Sequence, residues 1–198
     1  MKLLLIMKIL LVYAIPEEKI EVNIPNAEVV YVETGIGKVR AAMHTMNAIC
    51  EHHPDIVINI GSAGTLNHKV GDIIVCNRFV DRDLRKVYLN GVISEMEFDV
   101  DVIKHAIPSW HLMEHAKLIG TCNTGDSFIT EGADIEGDVI DMESYAVADV
   151  CREMKIPFIS VKYVTDVVGQ NSSQEWYAKL ADAREGLTKF FKENVIKK

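Results

Sequence analysis

The sequence predicts an α/β fold, in which a mixed, mostly parallel central sheet is flanked by helices. Apolar segments with the length of buried strands recur along the chain, and segments of helical periodicity separate several of them. Nearly continuous apolar strands are typical of parallel sheets that are covered on both faces. The 198 residues, 48% of them hydrophobic, suffice for one core, so we predict a single domain over residues 1–198 with its core at 7–195.

The predicted strands and helices alternate along most of the chain. In order, the strands are Ile9–Ile15, Val29–Val32, Asp55–Ile60, Asp72–Cys76, Lys117–Cys122, Asp138–Ile140 and Pro157–Val164. Apolar residues that recur every three or four positions predict helices at Val39–Ile49, Met142–Met154 and Glu175–Val195. His53 and Pro54 end the first helix, since proline cannot continue the helical hydrogen bonds.

The first strand lies in MKLLLIMKILLVYA, whose basic start and apolar run also occur in signal peptides. Lys8 interrupts that run, and the apolar piece that remains has the length of a strand. We therefore predict a first buried strand rather than a leader. This assignment and the four cysteines, which we expect to be reduced core residues, predict a cytoplasmic protein.

Composition excludes several classes of function. The net charge of -8 argues against a nucleic-acid or anionic-membrane surface, because both attract clustered lysine and arginine. The cysteines form no CxxC pair, which argues against a zinc site. TGIGKV at 34–39 lacks the third glycine of a dinucleotide-binding motif. We predict a small-molecule ligand, no nucleic-acid or membrane partner, no cofactor and no metal.

One motif nevertheless suggests a metal. HLMEH at 111–115 matches the H-x-x-E-H pattern of one zinc-peptidase class, with both imidazoles on one helical face. A five-residue match without a third ligand is weak, and a solvated helix face is the commoner explanation of such a segment. We therefore assign no metal to His111 and His115.

Polar residues follow several of the predicted strands. They are Glu17 and Glu18, the GSAG segment at 61–64, Asp126, Glu143 and Asp166. Each has an ordinary structural explanation, such as a tight turn, a helix cap or a solvated loop. Ligands of parallel sheets, however, bind at the carboxyl ends of the strands. Their joint placement therefore predicts one polar site at that edge.

Several segments, taken together, resemble the nucleoside phosphorylase and nucleosidase superfamily, and most closely the methylthioadenosine/S-adenosylhomocysteine nucleosidases. They are KILLVYAIPEE, ETGIGKVRAA, DIVINIGSAGTL, VGDIIV, TGDSFI and DMESYAVADVCREMKIPFISVKYVTD, and they occur in the family's order from about residue 7 to 177. The resemblance implies a homodimer that hydrolyses a purine nucleoside, with a place in methionine salvage. Its chemistry is coherent, since cleaving an N-glycoside needs an acid at the base and anionic groups near the sugar.

The resemblance also implies roles for individual residues. Asp166 would protonate purine N7, Glu18 would activate the attacking water, and Glu143 would hold the ribose hydroxyls. The remaining residues would line the pocket around sugar and base: Ile15, Ser62, Ala63, Gly64, Phe128, Ile129, Met142 and Trp176. For Asp166 to act as an acid, its pKa must be raised, which burial at an apolar strand end can achieve.

Alternatives remain for the nucleophile and the substrate. Phosphorylases carry a glycine-and-arginine phosphate loop after the first strand, whereas this chain has AIPEEK, whose two acids repel phosphate. VDRDLRKVYLNG departs from the family segment that covers the 5′ substituent across a dimer. A phosphorylase, a futalosine-type nucleosidase and a nucleoside-binding protein without turnover are therefore the alternatives to the hydrolase.

Overall fold

The computed structural model of the chain describes residues 6–87, 89–106, 119–130, 135–169 and 171–194. The strands are β1 (Met7–Tyr13), β2 (Ala27–Glu33), β3 (Ile56–Thr65), β4 (Ile73–Asp81), β5 (Glu95–Glu97), β6 (Ile119–Thr124), β7 (Val139–Asp141) and β8 (Phe158–Val167). The helices are α1 (Lys38–His52), α2 (Val100–Ala106), α3 (Ser144–Met154) and α4 (Ser172–Asn194). Short 3₁₀ turns lie at Pro16–Glu18 and Leu84–Lys86.

The strands form one mixed sheet that is mostly parallel, as predicted. β1 lies between β2 and β3 and is parallel to both, β8 is parallel to β3, and β6 is parallel to β4 and β7. The antiparallel pairs are β3 with β7, β4 with β5 and β4 with β8. Because β8 pairs with both β3 and β4, the sheet closes on itself instead of remaining open.

The closure depends on β3, which is ten residues long. Its first half, Ile56–Asn59, pairs with β1, and its end at Gly64 pairs with β7. Between Ala63 and Gly64 the register with β8 shifts, so that Gly64 lies opposite Asp166. Irregularities of this kind bend a strand and redirect its side chains, and they are frequent beside active sites.

Helices cover both faces of the sheet. In β1, Leu10 and Val12 pack in a core with residues of α1 and α3, whereas Ile9 and Leu11 pack in a second core with Leu187 of α4. All four strand residues have no exposed surface. Burial on alternate sides of one strand explains why its sequence is apolar without interruption.

Several elements differ from the prediction. β3, β4 and β8 run further than their apolar cores, because polar residues such as Thr65, Asp81 and Asp166 are buried there. β5 and α2 were not predicted. Cys76, Cys122 and Cys151 are buried and unpaired, but Cys50 is exposed, so the expectation of a core cysteine is wrong there.

In the described part of the chain, no helix is long and apolar enough to cross a membrane. The HLMEH segment at 111–115 lies outside the described residues, as do the first five residues.

Candidate active site

A cavity of about 200 Å³ opens at the carboxyl ends of β1, β3 and β8 and beside β7. Ligands of parallel sheets bind at this edge. Residues that the sequence analysis proposed for the site are brought together around it: Ile15, Glu18, Ser62, Ala63, Gly64, Phe128, Ile129, Met142, Glu143, Asp166 and Trp176. Further lining residues, such as Ile36, Arg82 and Asp141, were not predicted.

Glu18 is buried in the 3₁₀ turn that follows β1. Its Oε1 accepts hydrogen bonds from the backbone N–H of Ser62 at 2.8 Å and from the Ser62 hydroxyl at 2.6 Å. Its Oε2 accepts one from the backbone N–H of Ala14 at 3.1 Å. A carboxylate oxygen accepts about two hydrogen bonds, so Oε2 keeps a lone pair that can accept one more.

Gly61 explains how Glu18 approaches β3 so closely. A Cβ atom at position 61 would lie 3.0 Å from Oε1 and 3.1 Å from Oε2 of Glu18. A Cβ atom there would displace the carboxylate by a few tenths of an ångström, so glycine is favoured at the point of β3 that Glu18 approaches. The neighbouring Glu17 is exposed, so of the pair EE only the second acid faces the cavity.

Asp166 lies at the end of β8 with 2% of its surface exposed. Burial raises the pKa of Asp166 above its ordinary value, and the negative charge of Glu175 acts in the same direction. The Thr165 hydroxyl, which donates to Oδ1 at 2.9 Å, opposes this shift of the pKa. The direction agrees with what an acid that must carry a proton near neutral pH requires.

Glu143 directly precedes α3, yet its side chain does not cap that helix. It points across to the start of α1, where the backbone N–H of Gly37 donates to Oε1 at 2.8 Å. Burial, and secondly the charge of Asp141, raises the pKa of Glu143 to about 8. The sequence allowed Glu143 to cap α3. In the structure Asp141 does so instead, since its Oδ2 accepts a hydrogen bond from the backbone N–H of Ser144 at 2.9 Å.

Asp141 forms a fully buried ion pair with Lys162 of β8, 2.9 Å away. Burial alone would raise a carboxyl pKa, but the Lys162 charge and hydrogen bonds from Ser144 and Thr124 hold the pKa of Asp141 below its ordinary value. Sequence reasoning missed Lys162. The available signal was a charged residue inside the apolar run Pro157–Val164.

Asp126, like Glu17, is a strand-end acid that does not reach the cavity. It is exposed, and its Oδ1 accepts from the backbone N–H of Lys38 at 2.8 Å. Glu143 and Asp126 thus bind successive N–H groups at the start of α1, one from the cavity side and one from the solvent side. The expectation that all the strand-end acids converge on one site is wrong for Asp126.

Two aromatic side chains and a guanidinium shape the outer part of the cavity. Phe128 and Trp176 meet edge to face, with ring centroids 6.2 Å apart. Arg82 donates to the backbone carbonyls of Asn123, Asp141, Gly125 and Ser127 and so fastens the loop that carries Phe128. Within the described ranges, no group of three or more His, Cys, Asp or Glu side chains is arranged to hold a metal ion.

Comparisons with known proteins show the family to which the chain belongs. A family profile described as the phosphorylase superfamily matches residues 18–195. A 5'-methylthioadenosine/S-adenosylhomocysteine nucleosidase of Marinomonas sp. is 31% identical over 180 residues, covering 81% of this chain and 78% of the relative.

Solved structures share the fold. The 5'-methylthioadenosine/S-adenosylhomocysteine nucleosidase of Colwellia psychrerythraea, in complex with adenine, has a TM-score of 0.75 at 25% identity and covers 96% of each chain. A futalosine hydrolase mutant of Helicobacter pylori has a TM-score of 0.79 at 20% identity, over 94% of this chain and 97% of that one. At that identity, the second likeness concerns the fold alone.

Proposed function

The chain belongs to the phosphorylase superfamily, and from that premise we propose that it hydrolyses the N-glycosidic bond of a purine nucleoside. The preferred substrates are 5′-methylthioadenosine and S-adenosylhomocysteine, which would yield adenine and the free ribose product. One observation carries the proposal. A buried carboxyl with a raised pKa, Asp166, and a hydrogen-bonded carboxylate, Glu18, line the same cavity.

Asp166 serves as the general acid in this mechanism. It gives its proton to N7 of the purine while the bond between C1′ and N9 breaks, so that the base leaves as a neutral molecule. The electron pair of that bond remains with the base. The raised pKa of Asp166 supports this role, because the acid must be protonated before the bond breaks.

Glu18 serves as the general base for the attacking water. The open lone pair of Oε2 accepts a proton from water while the water oxygen bonds to C1′, which completes the hydrolysis. Oε1 is already occupied by two donors from Ser62. The fixed carboxylate supports this role, because a base must hold the water in one orientation as it attacks.

Glu143 binds the ribose hydroxyls and stabilises the positive charge that builds on the sugar ring. At neutral pH a carboxyl with a pKa of about 8 is mostly protonated. Positive charge on a nearby ribose favours its ionised form, so the interaction is stronger in the transition state than with the bound nucleoside. The hydrogen bond from Gly37 supports the ionised form as well.

The outer cavity accommodates the base. Phe128 offers a ring face for stacking, Ile129 offers backbone groups for the purine edge, and Trp176 packs against Phe128 to close the side. Ile15, Ala63, Gly64 and Met142 complete the lining around the sugar.

Water is favoured over phosphate as the nucleophile. Arg82 is the one cationic residue among the described residues that line the cavity, and its terminal nitrogens already donate to backbone carbonyls. Lys162 is paired with Asp141, and Arg40 is exposed. A phosphate dianion would therefore meet Glu18 and Glu143 without a free cation to bind it.

We also propose a homodimer. Val39 and Met43 on α1 and Ile36 just before it expose 78%, 50% and 47% of their surfaces. Ile36 also lines the cavity, and Phe128 at its mouth is 41% exposed. A second copy that covered these residues would bury apolar surface and shield the substrate from water.

We also propose that the chain forms one domain and that the protein is cytoplasmic. The family profile runs without interruption over residues 18–195, which supports one domain. Free, buried cysteines such as Cys76, Cys122 and Cys151 are typical of reducing compartments, which supports a cytoplasmic location.

The decisive experiment is product analysis with 5′-methylthioadenosine, with and without inorganic phosphate. Free adenine and unphosphorylated methylthioribose in both buffers are expected. Methylthioribose 1-phosphate that forms only with phosphate would make the protein a phosphorylase. Binding without adenine release would make it a binding protein, and neither binding nor release would call for futalosine as the next substrate.

Replacement of the acid tests its role separately. Asp166→Asn should lower the rate of adenine release by about 10²–10⁴-fold, since a general acid contributes on that order. Nucleoside binding, measured by calorimetry, should persist. An unchanged rate would remove Asp166 as the acid.

A further inference from the structure

Trp176 makes a hydrogen bond in addition to its aromatic packing beside the cavity. It lies in the first turns of α4, and its indole N–H donates to the hydroxyl oxygen of Ser62 at 2.8 Å. The same hydroxyl lies 2.6 Å from Oε1 of Glu18. Three side chains from three separate segments are therefore joined by two short hydrogen bonds.

The direction of these hydrogen bonds follows from their chemistry. An indole N–H can only donate, and an ionised carboxylate can only accept. The Ser62 hydroxyl has a single proton, so it accepts from Trp176 and donates to Glu18. Because a hydroxyl that accepts a hydrogen bond becomes a better donor, the indole strengthens the bond to Glu18.

We propose that Trp176 is a positioning residue for Glu18, acting through the Ser62 hydroxyl. The inference rests on the proposed function, in which Glu18 activates water. Two donors from Ser62 hold Oε1 of Glu18, and the Ala14 N–H holds Oε2. Of these three donors only the Ser62 hydroxyl can rotate, and the hydrogen bond from Trp176 keeps it directed at the carboxylate. The carboxylate is thereby held in one orientation, and with it the free lone pair of Oε2.

The packing role and the hydrogen-bonding role of Trp176 can be separated. Its ring meets Phe128 edge to face at 6.2 Å, a contact that phenylalanine can retain. Trp176→Phe keeps an aromatic ring at the cavity and removes the indole N–H. Tyr177→Phe is a matched control, because Tyr177 is the next residue of α4 and is 73% exposed.

The kinetic test is a double-mutant cycle on hydrolysis of 5′-methylthioadenosine. Trp176→Phe should lower kcat about fivefold with KM changed less than about twofold, as expected for one neutral hydrogen bond that supports the base. In a Ser62→Ala background, Trp176→Phe should have no further effect on kcat. Additive losses, or a loss confined to KM, would show that Trp176 acts only as a wall and would overturn the proposal. Tyr177→Phe should match the wild type.

A second readout does not depend on turnover. In ¹³C spectra, the Glu18 carboxylate resonance, assigned by its absence in Glu18→Gln, should shift in Trp176→Phe and stay in place in Tyr177→Phe. The indole N–H resonance of Trp176 should move in Ser62→Ala. Unmoved resonances would overturn the positioning role. If the wild type releases no adenine, the proposed function fails, while these spectra still decide whether Trp176 orients Glu18.

Discussion

Asp141 ends β7 and Glu143 lies two residues later, directly before α3. Both are buried, yet their pKa values move in opposite directions. Burial alone would raise the pKa of Asp141, but the positive charge of Lys162 outweighs burial, and the pKa lies below its ordinary value. The pKa of Glu143 is raised to about 8 by burial, since a backbone N–H from Gly37 does not offset the loss of water. A partner of opposite charge, rather than depth, decides which carboxyl stays ionised.

This contrast assigns different tasks to the two acids. Asp141 is structural, because its oxygens are used by Thr124, Ser144 and Lys162. Glu143 keeps acceptor capacity and lines the cavity, at a cost in stability when it ionises. A buried carboxyl with a strongly raised pKa that lines a cavity is typical of functional sites.

Removing the partner of Asp141 should have the largest effect on folding. Lys162→Met leaves a buried carboxylate without its counter-ion, which should lower the free energy of unfolding by about 3–5 kcal/mol. Chemical denaturation monitored by circular dichroism measures this change. The double variant Asp141→Asn with Lys162→Met should recover most of the loss, since it leaves no buried charge unpaired. An equally unstable double variant would contradict the comparison.

Neutralising Glu143 should raise the free energy of unfolding, whereas Lys162→Met should lower it. Between the ordinary value of 4.5 and about 8, the folded chain holds a proton on Glu143 that the unfolded chain has released. The free energy of unfolding therefore falls as pH rises through this window. Glu143→Gln removes that dependence and should stabilise the protein by about 4 kcal/mol at pH 8, with little effect near pH 4.

Denaturation curves at several pH values measure the effect of Glu143→Gln. Glu17→Gln is the matched control, because Glu17 is exposed. Adenine release by Glu143→Gln should fall even as stability rises, which separates the functional from the structural role. A variant that is less stable than the wild type at pH 8 would show that Glu143 is stabilising as a charge.

Asp126 should give the smallest effect. It binds the N–H that follows Gly37 at the start of α1, but it is exposed, so water replaces it readily. Asp126→Asn should lower the free energy of unfolding by about 0.5 kcal/mol or less, because asparagine also accepts from a helix N-terminus. If Asp126→Asn lowered the free energy of unfolding as much as Lys162→Met does, exposure would not distinguish Asp126 from the buried Asp141–Lys162 pair.

The sequence was sufficient for the elements whose pattern is local. The apolar runs of β1, β3 and β8 and the periodicity of α1 depend on neighbouring residues, and all were placed within three positions except the end of β3, which was five residues short. The short β5 and α2 were missed, because three and seven residues are too few for a periodicity to be recognised. The closure of the sheet by β8 could not be predicted either, since strand pairing depends on register between distant segments.

For the site, the sequence by itself determined which acids stand at strand ends and, through its motifs, many of the residues that line the cavity. Only the tertiary structure decided that Asp141 is paired with Lys162, that Glu143 reaches Gly37 from 106 residues away, and that Asp126 faces solvent. The physical reason is that residue type and order are written along the chain, whereas burial and charge pairing depend on groups that meet only after folding.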